Sequence, residues 1–179
     1  MVKLIIYALF VLLATPLILN NKKTLKILVL CTGNSCRSIL TEALINHYGA
    51  GNLIADSAGS NPTGEVHPLS IKTLQANNLN TQNLKSKSWD VFSETVFDLV
   101  ITVCDNAAGE ACPVYLNSAP KVHWGVEDPA KFKGTEEEIE NEFQRIFAIL
   151  AKRTHAMVEK YARAKKLELE ELTLIGNLV

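Results

Sequence analysis

The chain has 179 residues, 47% of them hydrophobic, and a formal net charge of −1. This length and apolar content support one domain with a buried core. The near-zero charge, with lysine and arginine scattered along the chain, excludes the basic patch of a nucleic-acid-binding protein, so we expect no nucleic-acid partner.

The N-terminal segment differs in composition from the rest of the chain. Leu4 to Leu19 is sixteen residues of nearly pure apolar character, broken only by Thr15 and Pro16, with lysines on both sides. It is slightly short for a membrane span and lacks the small-x-small cleavage site of an exported protein. We therefore expect residues 1–23 to be either an anchor to the inner face of the plasma membrane or a mis-assigned start. In both cases the domain is cytoplasmic.

A short apolar strand, Leu25–Leu30, leads directly into the segment Cys31–Ser38, which reads CTGNSCRS and opens a helical pattern. A strand, a turn of small residues and a helix N-terminus together form a site for a tetrahedral oxyanion, because backbone N–H groups and the helix dipole converge there. We call this segment the anion-binding loop. Its candidate oxyanion-binding residues are Thr32, Gly33, Asn34, Ser35, Cys36, Arg37 and Ser38.

Two side chains of this loop carry the predicted chemistry. Cys31 lies at the strand end, where positive potential favours a thiolate, so we expect its pKa to lie below that of an ordinary thiol. Arg37 supplies a planar fork of donors for two oxygens of the anion. Cys36 lies inside the turn, and we expect it to be a packing or supporting group of the loop. The alternative, a structural cysteine on a turn, is disfavoured by the strand–loop–helix context.

Further strands and helices alternate along the chain, which predicts a parallel sheet covered on both faces. The fold class expected is α/β, a three-layer sandwich with a four-stranded parallel sheet and the anion-binding loop after the first strand. We assign residues 24–165 to this domain and residues 166–179 to a tail without a function. The predicted elements are strands Leu53–Gly59, Asp98–Val103 and Lys121–Trp124, helices Pro68–Asn77 and Ser88–Thr95, and a long helix after a Thr135–Glu138 capping box.

Two more cysteines follow the predicted strand Asp98–Val103. Cys104 ends that strand, where open parallel sheets place their sites, and Cys112 follows a loop of small and polar residues. Beside a nucleophilic thiolate, such a pair indicates relayed thiol–disulfide exchange. A structural disulfide is disfavoured in a cytosolic domain, and the spacing does not match a zinc knuckle, so no metal is expected. Inert core cysteines remain the third alternative.

The segment Cys31–Ser38 resembles the phosphate loop shared by low-molecular-weight protein tyrosine phosphatases and the arsenate reductases built on that fold. Three further segments, Val103–Pro113, His123–Ala130 and Gly134–Glu138, resemble the arsenate reductases specifically. The similarity covers about Leu25 to Val158. It implies reduction of arsenate to arsenite, an arsenic detoxification reaction that needs no organic cofactor.

The resemblance also implies a role for each reactive residue. Cys31 attacks arsenate held by Arg37 and the loop amides, and Asp128 protonates the departing oxygen. Cys104 then attacks the sulfur of Cys31 and releases arsenite, and Cys112 carries the oxidation to a disulfide that thioredoxin or glutaredoxin/glutathione reduces. Without the resemblance, an aspartate before a proline would be interpreted as a turn residue.

The sequence departs from the family pattern at two places. The loop that carries Cys112 is one residue longer than in some members, which leaves the choice of reductant open. Some members also bind potassium beside the phosphate loop. Asn34, Glu42 and Ser57 fit that pattern, but Lys87 occupies the position expected to be acidic. We expect its ammonium group to replace the cation, so that the protein needs no potassium.

Two other functions compete with arsenate reduction. Phosphotyrosine phosphatases of this fold carry aromatic residues directly after the Asp-Pro pair, whereas Ala130, Lys131 and Phe132 follow it here. They also have no need of the relay cysteines, so we expect at most weak hydrolysis of small aryl phosphates. The second alternative is a module that binds oxyanions without catalysis.

Overall fold

A computed structural model describes residues 24–104, 116 and 118–179 of the chain. Its centre is a sheet with the strand order β2-β1-β3-β4 in which every pairing is parallel. The predicted four-stranded parallel sheet is therefore confirmed. The strands are β1 (Leu25–Cys31), β2 (Leu53–Gly59), β3 (Leu99–Thr102) and β4 (Lys121–His123).

Helices cover one face of this sheet. They are α1 (Arg37–Gly49), α2 (Pro68–Ala76), α3 (Glu136–Ala164) and α4 (Leu169–Ile175). β1 is apolar and fully buried from Ile27 to Val29, as expected for a central strand of a parallel sheet with both faces covered. Ile27 and Val29 pack in the same core as residues of α3 and α4.

The opposite face of the sheet is covered differently from the prediction. The side chains of Leu28 and Leu30 pack with Phe97 and Leu116, and Trp89 and Phe92 lie against that cluster. The helix predicted over residues 88–95 is a single 3₁₀ turn, Trp89–Phe92. A 3₁₀ turn aligns side chains three residues apart, which brings both aromatic rings to the core side.

The longest helix begins where the sequence predicted. The hydroxyl of Thr135 accepts a hydrogen bond from the Glu138 N–H, and the Glu138 carboxylate accepts one from the Thr135 N–H at 2.8 Å. This reciprocal capping box satisfies two N–H groups that a helix start leaves without partners. α3 then runs for 29 residues.

The segment 166–179, set apart above as a tail, packs on the domain. Leu172 and Ile175 of α4 are buried in the main core beside Trp124. The leucines and glutamates of this segment nearly alternate, which obscured the three-residue spacing of the two buried side chains. Residues 1–23 and Cys112 lie outside the described part of the chain. Within that part, no helix has both the length and the apolar character to cross a bilayer.

Candidate active site

The candidate site lies where the carboxyl ends of β1 and β3 meet. β1 is central, with β2 on one side and β3 on the other, so this edge is a topological switch point, where open α/β sheets bind ligands. Cys31 ends β1, and Cys104 follows β3 by two residues. Both line a cavity of about 1300 Å³, together with the anion-binding loop and Asp128.

The backbone of the anion-binding loop turns its carbonyl groups outward. The oxygens of Thr32, Gly33 and Ser35 accept hydrogen bonds, each of 3.0 Å, from N–H groups of the segment that connects β2 to α2. In a trans peptide the C=O and the next N–H point in opposite directions, so the N–H groups of Gly33, Asn34 and Cys36 point into the loop. The Gly33 N–H donates to the sulfur of Cys31.

Asn34 holds the loop in this shape. Its backbone is left-handed, with φ of 44°, a conformation that asparagine tolerates better than most residues. Its buried amide donates to Ser57 Oγ at 2.7 Å and Ser38 Oγ at 3.0 Å, and its Oδ1 accepts from the Lys87 N–H at 2.8 Å. The side chains of Asn34 and Ser38 therefore brace the loop from behind.

Cys31 and Cys104 are in contact at the base of the cavity. The Cys104 sulfur also lies 3.7 Å from Oγ1 of Thr32, the residue that follows Cys31, although Thr32 and Cys104 are 72 residues apart in the sequence. Both cysteines are buried and present as thiols. The hydrogen bond to Cys104 and then burial raise the pKa of Cys31, against the lowering effects of Arg37 and the Gly33 N–H. The predicted low pKa is wrong for this arrangement, because strand pairing places a second thiol against the first.

Arg37 and Asp128 form an ion pair at the side of the cavity. Nη2 of Arg37 donates to Asp128 Oδ2 at 2.8 Å, and Nη1 donates to the Val126 carbonyl at 3.0 Å. Its Nε–H is buried and has no hydrogen-bond partner among the residues that the structure describes, so we expect this donor to be available to an anion. Asp128 also caps the short turn after it, accepting from the Ala130 N–H at 3.2 Å. The carboxylate thus caps the turn and also lines the cavity.

A second polar cluster lies behind the loop. The buried Glu42 carboxylate accepts a hydrogen bond from Ser57, and Lys87 Nζ lies 4.0 Å from Glu42 Oε2 and 3.9 Å from Asp56 Oδ1. Burial raises the pKa of Glu42, while Ser57 and Lys87 oppose this rise. Lys87 thus lies beside two carboxylates, and its replacement of a potassium ion stays a prediction. Within the described ranges, no group of three metal-ligating side chains forms a metal site.

Cys36 has the supporting position expected of it. It is buried next to Ser35, with 3.7 Å between Sγ and Oγ, and burial raises its pKa. Trp124, at the end of the predicted fourth strand, is fully buried. An aromatic side chain does reach the cavity, because Phe132, 44% exposed, lies on its lining.

Sequence reasoning missed the residues that hold the loop from the β2 side. Asn61 and Thr63 donate to two of the loop carbonyls, and Ser86 Oγ donates to the Gly33 carbonyl at 3.2 Å. A Cβ on Gly59 would lie 2.3 Å from the Thr32 carbonyl oxygen, so only glycine allows this approach. The position of Asn61 and Thr63 just after β2, at the same sheet edge, was the available signal for these two residues.

Comparison with known proteins places this geometry in a family. Residues 26–167 match the family described as low molecular weight phosphotyrosine protein phosphatase. An arsenate reductase of Halalkalibacterium halodurans is 36% identical over 139 residues, which cover 78% of this chain and 97% of that protein. One from Bacillus subtilis is 37% identical over 117 residues, covering 65% and 83%.

Solved structures agree with these relatives. A structure described as an arsenate reductase in the phosphate binding state has a TM-score of 0.64 and 25% identity, covering 76% of this chain and 98% of that one. A thioredoxin-dependent arsenate reductase of Corynebacterium glutamicum has a TM-score of 0.54 and 26% identity, covering 74% and 62%. The chain belongs to the low molecular weight phosphotyrosine protein phosphatase family and, within it, groups with the arsenate reductases.

Proposed function

We propose that this protein reduces arsenate to arsenite, with Cys31 as the nucleophile and Cys104 as the first relay thiol. The observation that carries the proposal is the contact between these two cysteines inside an oxyanion-binding loop. Hydrolysis of a phosphate ester by this fold needs one thiol, whereas reduction needs a second thiol that can reach the first. The protein is accordingly an arsenate reductase, like its curated relatives.

The first step forms a bond between sulfur and arsenic. Arsenate lies on the inward N–H groups of the loop and on the Arg37 guanidinium, and the thiolate of Cys31 attacks As(V). One As–O bond breaks, and the departing oxygen takes up the proton of the Cys31 thiol, delivered through Asp128, and leaves as water. The hydrogen bond of 2.8 Å from Arg37 Nη2 to Asp128 Oδ2 holds the carboxyl group next to the bound anion. The oxidation state of arsenic does not change in this step.

The second step transfers the electrons. The thiolate of Cys104 attacks the sulfur of Cys31, the S–As bond breaks, and its electron pair stays on arsenic, which leaves as arsenite. Two thiols are thereby oxidised to a Cys31–Cys104 disulfide, and arsenic is reduced from As(V) to As(III). The contact between the two cysteines supports this step, because the two sulfur atoms must meet for the disulfide to form.

The third step regenerates the nucleophile. Cys112, which lies outside the described residues, attacks Cys104 and frees Cys31, leaving a Cys104–Cys112 disulfide. An external dithiol then reduces this disulfide. Because the Corynebacterium glutamicum relative is named thioredoxin-dependent, thioredoxin is the proposed reductant, with glutaredoxin/glutathione as the alternative. These donors operate in the cytoplasm, where we place the domain, held at the membrane if Leu4–Leu19 acts as an anchor.

Hydrolysis of small aryl phosphates is a proposed side activity. Phosphate has the same shape and charge as arsenate, and the Phe132 ring on the cavity lining offers a surface for an aryl group. This ring is three residues beyond Pro129, so it supports a weak activity rather than the aromatic contact of a phosphotyrosine phosphatase.

The experiment measures NADPH oxidation that depends on arsenate, with either a thioredoxin or a glutaredoxin/glutathione system, and phosphotyrosine hydrolysis in parallel. We expect arsenate-dependent oxidation with at least one thiol donor and only slow hydrolysis. Rapid phosphotyrosine hydrolysis without any arsenate-dependent oxidation would identify a phosphatase instead. Arsenate or phosphate binding with neither activity would identify the non-catalytic module.

A further inference from the structure

The C-terminal segment, residues 169–179, lies beyond the family match, which ends at residue 167, but some of its residues line the cavity of the candidate site. We propose that this segment positions the acid loop, residues 124–128, and through it Asp128 and Arg37. The proposal rests on the role given to Asp128 in the proposed function. It makes Arg153 a positioning residue, which acts on the chemistry through the acid loop.

The first contact is between α4 and the start of the acid loop. The indole N–H of the fully buried Trp124 donates to the Leu172 carbonyl at 2.9 Å. A Cβ on Gly176 would lie 2.6 Å from the His123 carbonyl oxygen and 2.8 Å from Trp124 Cδ1. The segment therefore packs against the backbone that enters the acid loop, at a distance that excludes any side chain at position 176.

The second contact is made by Arg153 of α3. Its Nη1 donates to the carbonyls of Trp124 at 2.8 Å and Gly125 at 3.1 Å, and its Nε donates to the Leu178 carbonyl at 2.8 Å. Only 3% of this residue is exposed, and burial lowers the pKa of its guanidinium. One rigid planar group thus joins the C-terminal segment to the first two residues of the acid loop.

The acid loop connects the C-terminal segment with Arg37 and Asp128 in the site. The Val126 carbonyl accepts from Arg37 Nη1 at 3.0 Å, and Asp128, two residues on, accepts from Arg37 Nη2 at 2.8 Å. Gly176, Asn177 and Val179 line the same cavity as Cys31. A displacement of the C-terminal segment would release the start of the acid loop and shift Asp128 relative to the anion. Shifts on the order of 1 Å reduce catalysis strongly.

A double-mutant cycle tests this coupling. Gly176→Ala adds the side chain that the contact excludes, and the measurement is the single-turnover rate of arsenate reduction by the full chain. We expect Gly176→Ala to lower this rate about tenfold when Asp128 is present, and to change it less than about twofold in Asp128→Asn. Leu174→Ala is the matched control, because this α4 side chain is 68% exposed. It should leave the rate unchanged.

Equal losses in both backgrounds would overturn the proposal, because a general structural defect does not depend on Asp128. An unchanged rate in Gly176→Ala would overturn it as well. If Gly176→Ala does not fold, Arg153→Lys replaces it, since lysine keeps the charge but cannot bond all three carbonyls. Amide hydrogen exchange is measured on the same proteins. We expect the amides of Trp124 and Val126 to exchange faster in Gly176→Ala or Arg153→Lys than in Leu174→Ala. A wild-type protein without arsenate turnover would contradict the proposed function, and the exchange result would still decide whether the segment holds the acid loop.

Discussion

At the scale of single residues, the reactivity of Cys31 depends on a neighbour from another strand. The loop amide and Arg37 lower its pKa, but the Cys104 thiol and burial raise it more. The groups that bind the oxyanion therefore lower the pKa of Cys31, and the second thiol raises it. The relay thiol that makes reduction possible has the largest of the raising effects on the pKa of Cys31.

Replacing Cys104 should therefore make Cys31 more reactive. In Cys104→Ala the pKa of Cys31 falls, since the group with the largest raising effect is gone. The measurement is the pH dependence of Cys31 alkylation by iodoacetamide, followed by mass spectrometry of the modified peptide. Cys36→Ser is the control and should leave that profile in place. An unchanged or raised Cys31 pKa in Cys104→Ala would show that Cys104 does not set its reactivity.

Glu42 gives a prediction about stability and pH. Burial raises its folded-state pKa above the unfolded value of about 4.3, so the folded protein holds this proton more tightly. Its contribution to stability is present below the unfolded pKa and is lost as pH rises through the folded pKa. The free energy of unfolding of wild type relative to Glu42→Gln should therefore decrease as the pH rises from about 4.3 through the folded-state pKa. Urea titrations at several pH values measure it, and an increase over this range would contradict the assignment.

Lys87 gives a prediction about ions. Its ammonium group lies 4.0 Å from the Glu42 carboxylate, where it supplies the positive charge that a cation would bring. Arsenate turnover should therefore be the same in KCl and in NaCl of equal ionic strength. A several-fold increase of kcat/KM in KCl would mean that potassium binds in spite of Lys87.

At the scale of elements, the start of α3 depends on a local signal. Thr135→Ala removes the capping hydroxyl and should lower the free energy of unfolding by about 1 kcal/mol. Thr173→Ala is the control, because that exposed hydroxyl bonds the Leu169 carbonyl inside α4 and satisfies no helix N–H. Equal effects of the two substitutions in urea denaturation would contradict the capping role.

Features that depend on residues adjacent in the sequence could be predicted, whereas features that depend on tertiary contacts could not. The anion-binding loop and the Thr135 capping box are defined by adjacent residues, so both were predictable. The raised pKa of Cys31 was not, because it depends on the pairing of β1 with β3. The packing of α4 was missed for a related reason, since Leu172 and Ile175 are recognisable as core only against Trp124.

At the scale of the whole molecule, the N-terminal segment joins the domain away from the site. Thr24 precedes the start of β1, and Cys31 lies at its other end, about 20 Å along a strand of this length. A chain that begins at Thr24 should therefore fold and reduce arsenate at the wild-type rate. A large loss of activity in this shortened chain would contradict the placement of the domain start.

Cell fractionation of the full-length protein separates the two origins of residues 1–23. An anchor predicts recovery in the membrane pellet, resistant to high salt but released by detergent, because the attachment is hydrophobic. A mis-assigned start predicts protein in the supernatant with an N-terminal peptide near Thr24. Recovery of the domain outside the cytoplasmic membrane would contradict both, and would place the thiol relay in an oxidising compartment.

The central claim is that arsenate is reduced by direct attack of Cys31, with Cys104 as the second thiol. Reduced Cys112→Ser protein, mixed with a slight excess of arsenate and no external thiol, isolates that reaction, because the third cysteine cannot resolve the product. Mass spectrometry of the digested protein and arsenic speciation are read together. The account predicts one arsenite and one Cys31–Cys104 disulfide per protein molecule. Arsenate left unreduced with both thiols intact, or arsenite produced equally well by Cys31→Ser, would contradict it.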